Sequence, residues 1–199
     1  MSPVMSTTTC LLDSLQDESN QAAWTEFDHR YRPIVFGLAR KLGLSDPDAA
    51  DIAQETLTRF IQDYRARKYD RSRGRLRAWL VGIARFRIAD FRRSRARRKE
   101  TRGESGIAPL PGENEMSRIW DAQERDHILS LALAELRTNV RMSERTIDAF
   151  ERVALRGEPV ATVAAELDLS QQEVYEAKSR VVAKLREVMQ RYEAEFVEP

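Results

Sequence analysis

Cysteine and histidine are nearly absent from this chain of 199 residues, which holds one cysteine, Cys10, and two histidines, His29 and His127. One cysteine cannot form an internal disulfide, and a metal site built on cysteine is not expected. The two distant histidines offer no Ser-His-Asp set, and we expect each to be an ordinary surface or boundary residue. We therefore expect no enzyme and no cofactor. The rival that composition leaves open is a nuclease that holds Mg²⁺ on acidic residues.

Glycine, proline and long apolar runs are also scarce. The chain has 8 glycines and 7 prolines, which disfavours a turn-rich all-β fold. No stretch approaches the ~20 consecutive apolar residues that cross a membrane. The N-terminus lacks the basic-then-apolar layout of a secretory signal. These absences predict a mainly helical, cytoplasmic protein that does not enter a membrane.

Positive charge is concentrated in one segment, although the formal net charge of the whole chain is only +1. Residues 65–102 contain 16 Lys or Arg against 3 acidic residues, a net charge of +13 in 38 residues, so the rest of the chain carries −12. Like charges at this density repel one another unless a polyanion relieves them. The asymmetry indicates nucleic acid or an acidic membrane surface, and the alternative is a purely solvated face.

Apolar periodicity divides the N-terminal half into a tail and three helices. Residues 1–20 are mostly small and polar, which predicts a tail, with a first helix at Leu11 as the alternative. From residue 21 to Gly43 apolar residues recur every three or four positions, as one face of an amphipathic helix requires. Asp46, which precedes a proline, is typical of a helix cap and predicts the start of a second helix. A basic loop, 65–75, then precedes a third helix from Leu76, which carries arginines on several sides.

A change of composition separates this region from the C-terminal part of the chain. Residues 101–119 contain three glycines and two prolines and show no period, which is typical of a flexible linker. Helical periodicity returns at Trp120 and continues, with a turn at Gly157, to about residue 194. The predicted fold is therefore all-α, with two small helical domains, 21–100 and 120–194, joined by the linker.

Residues 160–179 fit a helix-turn-helix. Apolar residues occupy its expected buried positions: Val163, Leu167, Leu169, Val174 and Ala177. Ala164 is the small residue expected where the two helices touch, and Asp168 stands in the turn, where the backbone often needs a positive φ that Asp tolerates. Ser170 and Glu173 form a capping box at the start of the second helix. A plain helical hairpin with a polar face is the alternative.

The second of these helices presents polar side chains suited to DNA. A recognition helix places its N-terminal residues in the major groove, where Gln can pair with adenine and Glu can accept from cytosine. Basic residues on the same helix meet phosphates, which position the helix without specifying sequence. The candidate contact residues are Ser170, Gln171, Gln172, Tyr175, Glu176, Lys178, Ser179 and Arg180.

Three motifs, in order, resemble those of the extracytoplasmic-function (ECF, group 4) sigma factors of bacterial RNA polymerase. Residues 48–55 (DAADIAQE) resemble the acidic, glutamine-containing helix by which sigma factors grip the clamp helices of the polymerase. Residues 76–85 (LRAWLVGIAR) are similar to the signature of sigma domain 2, and the helix-turn-helix is similar to sigma domain 4. The resemblance covers residues 21 to about 190, and the presence of only two domains is the ECF pattern.

The resemblance implies a role for each set of residues. Polymerase binding falls to Asp48, Asp51, Gln54 and Glu55, for which the alternative is a set of capping and solvated residues. The opening −10 element is held by Arg75, Arg77, Arg85, Arg87, Arg92, Arg93 and Arg95, whose phosphate contacts, together with stacking, offset the cost of unstacking a base. Trp79 is either a stacking platform or, at helical spacing beside Leu76 and Leu80, part of the core. The helix-turn-helix reads the −35 element as duplex DNA.

The resemblance also has departures and regulatory implications. Phe86 stands where an asparagine commonly follows the domain 2 signature, and residues 175–177 replace the commoner Lys-Ser-Arg, so the −35 preference cannot be carried over. Members of the family are often held by an anti-sigma factor, and some are switched by Ser/Thr kinases. Thr56 and Thr58 adjoin the predicted clamp face, where a phosphate adds roughly two negative charges. We expect a chain that is monomeric when free, with core RNA polymerase and promoter DNA as partners.

A stand-alone helix-turn-helix regulator of transcription is the rival interpretation. It accounts for the C-terminal domain but leaves the acidic helix around Gln54 and the basic segment unexplained. Such a regulator usually dimerises, and the sequence shows no heptad or long apolar seam for a dimer. The sequence therefore favours a sigma factor that initiates transcription by recognising the −35 element and melting the −10 element.

Overall fold

The computed structural model of the protein describes residues 8–70, 74–100, 109–138 and 142–196. Within these ranges all regular secondary structure is helical and no residue lies in a strand, which confirms the predicted all-α class. None of the helices in the described ranges is long and apolar enough to span a bilayer. The chain divides into two compact units, Met1–His127 and Ile128–Phe196.

The N-terminal residues differ from the predicted tail over 1–20. Residues Thr8–Ser14 form helix α1. Three leucines in and beside this helix are almost fully buried: Leu11, Leu12 and Leu15. The structure thus has the alternative, a helix that contains Leu11, in place of a tail from residue 8 onward. Burying each leucine contributes roughly 1.5–3 kcal/mol, which offsets the cost of ordering the polar residues between them. Positions 1–7 lie outside the described residues.

Two long helices form the centre of the first unit. Helix α2 covers Gln21–Lys41 and ends before Gly43, whose φ of +88° is a conformation that favours glycine. Helix α3 covers Asp46–Arg65, and its cap is Ser45, whose hydroxyl accepts a first-turn backbone N–H at 3.4 Å. The cap therefore lies one residue before Asp46, the residue predicted from the sequence, because the serine hydroxyl takes the capping bond.

Helix α4 covers Leu76–Glu100 and buries a narrow stripe. The fully buried residues recur at every fourth position: Leu76, Leu80, Ala84 and Ile88. Trp79 is half-buried, and its ring lies edge-on at 5.7 Å from the ring of Tyr69. Tyr69 itself is buried and belongs to the predicted loop 65–75, of which 71–73 lie outside the described residues. Trp79 thus fixes part of the loop to α4, in line with the core alternative of the sequence analysis.

Helix α5 covers Glu113–Thr138 and begins inside the predicted linker, 101–119. Its first half belongs to the first unit, where Met116 and Trp120 are fully buried. The boundary between the units therefore falls within α5, whereas the sequence predicts a second domain that starts at residue 120. The glycines and prolines just before α5 are typical of a linker, so the sequence did not indicate that Met116 and Trp120 share a buried side of one helix. The remainder of the predicted linker, 101–108, lies outside the described residues.

The second unit contains the rest of α5 and three further helices. Helix α6 covers Glu144–Phe150 and continues as a π-helical segment over Glu151–Leu155, α7 covers Val160–Glu166, and α8 covers Gln171–Phe196. One core cluster joins α5, α6 and α8 around Phe150 and Leu185. The other joins α6, α7 and α8 around Val163 and Val174.

Replacing Trp120 by alanine tests whether the first half of α5 is part of the folded first unit. Because the ring is fully buried, Trp120→Ala should lower the free energy of unfolding by about 3–5 kcal/mol through lost burial and the cavity left behind. Arg118→Ala, at an exposed position of the same helix, should change it by less than ~0.5 kcal/mol. Urea unfolding followed by circular dichroism measures both. Equal midpoints would mean that residues 113–127 behave as the linker predicted from the sequence.

His127 makes the first unit sensitive to acid. Its ring lies edge-on at 6.1 Å from that of His29 on α2, and burial, followed by the proximity of His29, lowers the pKa of His127 to about 4. Between about pH 6.5 and about pH 4 the unfolded chain therefore binds a proton that the folded chain does not, so stability falls as the pH decreases through this window. His127→Gln should lose that part of the fall, measured from urea midpoints at roughly pH 7 and pH 5. A variant with the wild-type pH dependence would contradict the assignment.

Candidate nucleic-acid interface

The four residues predicted to bind polymerase lie along one side of α3. Asp51, Gln54 and Glu55 are exposed, and Asp48 is half-buried. Their spacings of three, three and one residues keep them on neighbouring turns of a helix with 3.6 residues per turn. The other side of the helix faces the core through Ala49, Ile52, Ala53, Leu57 and Phe60. The structure therefore brings the four predicted residues together into one acidic face.

Ion pairs connect the acidic face of α3 to α4. A carboxylate oxygen of Glu55 lies 3.7 Å from the guanidinium of Arg87, and one of Asp48 lies 3.5 Å from that of Arg95. The two helices thus place opposite charges side by side, and each partly neutralises the other. Exposed pairs of this kind contribute only ~0–1 kcal/mol to stability, so a charged partner can replace them at small cost.

The two threonines named as phosphosites differ in accessibility. Thr56 is fully buried, and its hydroxyl has no hydrogen-bond partner among the described residues. A kinase cannot reach this hydroxyl in the folded chain, so the prediction is corrected for Thr56, which the helical period places on the core side of α3. Thr58 is exposed, and its hydroxyl accepts a hydrogen bond of 3.3 Å from Gln54, which in turn accepts one from Arg32.

Two of the seven arginines predicted to hold the −10 element are bound inside the first unit. Arg77 donates a hydrogen bond of 2.8 Å to the carbonyl of Ser117 and forms an ion pair with Asp121, both on α5. Arg92 donates a hydrogen bond of 2.5 Å to the carbonyl of Leu42, just after α2. Carbonyls at the end of a helix have no partner within it, so Arg92 completes the C-terminus of α2. Both side chains connect helices, a role that the sequence did not indicate.

The other five arginines lie at the surface of the first unit: Arg75, Arg85, Arg87, Arg93 and Arg95. Arg93 forms an ion pair of 2.5 Å with Asp90, one turn earlier, and Arg85 lies 3.9 Å from Glu113. A guanidinium has five N–H donors, so a single carboxylate partner leaves donors for a phosphate. Arg75 directly precedes α4 and the other four lie on it, so together they form a basic surface that can hold a polyanion.

Phe86 lies on the same outer face and is 59 % exposed, the largest value for a large hydrophobic residue in the described ranges. The sequence marks it as a departure from the family pattern but did not place it at the surface. The helical period of the sequence implied this exposure, because Phe86 lies two residues from Ala84 and two from Ile88, which are both buried. A residue two positions from a buried helical stripe points to the opposite side.

Helices α7 and α8 lie at the two helical positions of the predicted helix-turn-helix. Residues 167–170 connect them, and they pack through Val163, Ala164, Val174 and Ala177. Asp168 has a φ of +50°, the left-handed conformation anticipated for this turn. Arg145 of α6 donates a hydrogen bond of 2.6 Å to the carbonyl of Asp168. The turn is therefore fixed from outside the motif as well as by its own residues.

The predicted capping box starts α8. The backbone N–H of Ser170 donates to the carboxylate of Glu173 at 2.7 Å, and the N–H of Glu173 donates to the hydroxyl of Ser170 at 3.1 Å. The bond from the Ser170 N–H, followed by one from its hydroxyl, lowers the pKa of Glu173. All eight predicted contact residues are exposed: Ser170, Gln171, Gln172, Tyr175, Glu176, Lys178, Ser179 and Arg180.

Comparison with known protein families gave a match, which lies within the first unit. Residues 27–98 match the family model of sigma-70 region 2. The match covers most of α2, all of α3 and most of α4, and it includes both the acidic face of α3 and all seven arginines. A comparison with curated proteins gave no match. Residues 27–98 are therefore similar to sigma-70 region 2, which supports a sigma factor with a part in promoter recognition and transcription initiation by RNA polymerase.

Proposed function

We propose that this chain is an extracytoplasmic-function sigma factor that directs core RNA polymerase to promoters from the cytoplasm. The observation that carries the proposal is the position of the region 2 match, residues 27–98, on a unit whose acidic α3 adjoins an arginine-rich α4. The second unit adds a helix-turn-helix with an exposed contact face on α8. In this proposal the first unit binds polymerase and the −10 element, and the second binds the −35 element.

The acidic face of α3 is the proposed surface for the clamp helices of the polymerase. Carboxylates and an amide on one exposed side of a helix suit a partner rich in arginine and lysine. Asp48 and Glu55 already pair with Arg95 and Arg87 of α4. Polymerase binding exchanges these internal pairs for pairs with the clamp, and the two arginines become available to DNA. Binding of one partner thereby favours binding of the other.

The outer face of α4 is the proposed surface for the −10 element. Its exposed arginines hold phosphates, which supply affinity that depends on salt but not on sequence. Arg77 and Arg92 are left out of the proposed contact set, since they are bound to α5 and to the end of α2. The set therefore consists of Arg75, Arg85, Arg87, Arg93 and Arg95.

The N-terminal half of α8 is the proposed surface for the −35 element. Gln172 and Glu176 lie one turn apart, and the Gln172 amide donates a hydrogen bond of 3.2 Å to the Glu176 carboxylate. A pair held in this way presents an amide and a carboxylate to adjacent base edges. Lys178 and Arg180 meet the flanking phosphates.

Regulation of this function is proposed to act on the acidic face of α3. An anti-sigma factor competes with polymerase for the same surface, or a Ser/Thr kinase modifies Thr58, which is exposed beside Gln54. A phosphate there adds roughly two negative charges at the proposed contact with a basic partner.

Co-elution with core RNA polymerase on a sizing column tests the proposal. The wild-type chain should co-elute, and the variant Gln54→Ala/Glu55→Ala should dissociate at least about tenfold faster, because each lost charge-assisted bond costs ~1.5–3 kcal/mol. The matched control is Gln190→Ala/Glu193→Ala, which removes the same residue types from exposed positions of α8.

The outcomes separate the proposal from its rivals. Co-elution that the α3 variant weakens and the α8 control does not weaken supports a sigma factor that uses the acidic face. If the wild-type chain fails to bind polymerase but retains duplex DNA at moderate salt, the stand-alone regulator becomes the better account. DNA cleavage that requires Mg²⁺ would instead favour the nuclease.

The two proposed DNA surfaces should respond differently to substitution. Arg93→Ala should weaken holoenzyme binding uniformly across promoter sequences and reduce the slope of log affinity against log salt by about one. Gln172→Ala should change the preference within a library of −35 variants, by ~1–3 kcal/mol at the base it contacts. An unchanged −35 preference for Gln172→Ala would show that the contact face of α8 is assigned wrongly.

A further inference from the structure

A ladder of side-chain hydrogen bonds connects α2 to the acidic face of α3. Arg32 of α2 donates two hydrogen bonds, of 2.7 Å and 2.8 Å, to the carboxylate of Asp28, one turn earlier. Another N–H of the same guanidinium donates to the side-chain oxygen of Gln54 on α3. The amide nitrogen of Gln54 donates in turn to the hydroxyl of Thr58 at 3.3 Å. The ladder therefore passes from Arg32 to Thr58 through the amide group of Gln54.

The chemistry of the neighbouring groups fixes the direction in which the Gln54 amide points. A guanidinium can only donate hydrogen bonds, so the atom of Gln54 that faces Arg32 must be the oxygen. The nitrogen then faces Thr58, whose hydroxyl oxygen can accept. The reverse orientation would place the N–H groups of the amide against those of the guanidinium. Arg32 thus selects one of the two orientations of this amide.

Arg32 can hold Gln54 because its own position is restricted. Its two bonds to Asp28 form a bidentate pair, which defines both the position and the plane of the guanidinium. Both side chains of this pair are half-buried, so water competes with their bonds less than at an open surface. A lysine at this position could not make the same set of contacts, because its ammonium lacks the planar fork.

Gln54 therefore offers a partner a different group from its exposed neighbours Asp51 and Glu55. The two carboxylates can only accept hydrogen bonds. The amide of Gln54 has two N–H groups, of which Thr58 takes one, and the other is left for a partner. The amide oxygen lies beside the positive charge of Arg32, which repels a further cation. The acidic face of α3 thus presents one hydrogen-bond donor beside its acceptors.

A partner surface that carries only arginine and lysine would satisfy the carboxylates but not this N–H group. Cationic side chains have no acceptor to offer, whereas a backbone carbonyl or a carboxylate does. We propose that Arg32 is a positioning residue that holds Gln54 as a hydrogen-bond donor, and that the polymerase surface bound by α3 carries an acceptor at this point among its basic residues.

This inference deepens the assignment of the acidic face, and it rests on the proposed function for the identity of the partner. It also gives the face a basis for specificity. When a uniformly basic surface covers α3, the N–H of Gln54 loses water and gains no acceptor, which costs more than one hydrogen bond contributes. The fixed amide therefore disfavours basic partners that lack the matching acceptor.

Gln54→Glu tests the direction of the hydrogen bond, because it replaces the NH2 group by an oxygen and keeps the size of the side chain. The carboxylate still accepts from Arg32 but has no N–H to donate. Affinity for core RNA polymerase, titrated with the full chain labelled at its single cysteine, should fall about tenfold. A face that responds only to negative charge would instead bind the basic partner more tightly.

The matched control is Gln21→Glu, which adds the same charge at an exposed position in the first turn of α2. Gln21 lies eleven residues before Arg32, roughly 16 Å along the helix axis. This variant should leave the affinity for polymerase within about twofold of the wild type.

A double-mutant cycle separates positioning by Arg32 from a general structural role. Arg32→Ala should weaken polymerase binding about fivefold in the wild-type background and by less than about twofold in the Gln54→Ala background. The lost positive charge acts equally in both backgrounds and cancels in the comparison. A residue that only stabilises α2 would weaken binding by the same factor in both.

The free chain provides a measurement that does not need polymerase. NMR relaxation of the Gln54 side-chain amide should show restricted motion in the wild type and faster motion in Arg32→Ala. The amide of Gln190, exposed on α8, is the internal reference and should be equally mobile in both.

The outcomes distinguish this inference from the proposed function. Unchanged or tighter polymerase binding by Gln54→Glu overturns the donor role of Gln54 and leaves the sigma function standing. Equal losses in the two backgrounds, or a Gln54 amide that is equally mobile with and without Arg32, overturn the positioning role. If the wild type does not bind polymerase but Arg32 still restricts the amide, the positioning role stands and the sigma function fails.

Discussion

The structure of the first unit depends on how α4 accommodates its positive charge. The segment 65–102 carries 16 basic residues, and the helix that holds most of them must still pack against a core. It does so through one residue per turn, from Leu76 to Ile88, each fully buried. Because the buried stripe is narrow, most of the helix surface faces solvent. The arginines there keep their hydration and avoid the cost of desolvation. The acidic face of α3 adjoins this charge and reduces the repulsion within it.

The same constraint gives the arginines two distinct roles. Arg77 and Arg92 reach carbonyls and a carboxylate on neighbouring helices and connect the elements of the unit. The arginines farther from such acceptors stay at the surface, where weak ion pairs hold them. Removing a guanidinium that donates to a carbonyl at the end of a helix leaves that carbonyl without a partner, which costs free energy. A guanidinium in an exposed ion pair can exchange its carboxylate for a phosphate at little cost. The division between structure and binding thus follows from what each side chain can reach.

Local features of the chain were predictable because neighbouring residues decide them. The capping box of Ser170 and Glu173, the positive φ of Asp168 and the end of α2 before Gly43 all involve groups a few residues apart. The period of the apolar residues likewise indicated the helices and the single polar side of α3. The exposure of Phe86 was implied by the same period, because it lies two residues from the buried Ala84 and Ile88.

Features that require distant partners were missed or misplaced. The sequence left open whether residues up to 20 form a tail or include a helix at Leu11, because the burial of Leu11, Leu12 and Leu15 depends on the rest of the unit. Trp120 appeared to begin a second domain, because nothing local shows that its ring is buried in the first unit. Thr56 and Thr58 look equivalent in a sequence, and only the packing of α3 makes one of them inaccessible.

By itself, then, the sequence determined the helical class, the concentration of charge, and the side of α3 on which the acidic residues lie, since composition and period are properties of the chain alone. The tertiary structure decided where the first unit ends, which arginines face outward, and that Arg32 of α2 reaches Gln54 of α3. The physical reason is that burial and ion pairing depend on residues far apart in sequence, and their distances exist only once the helices have packed.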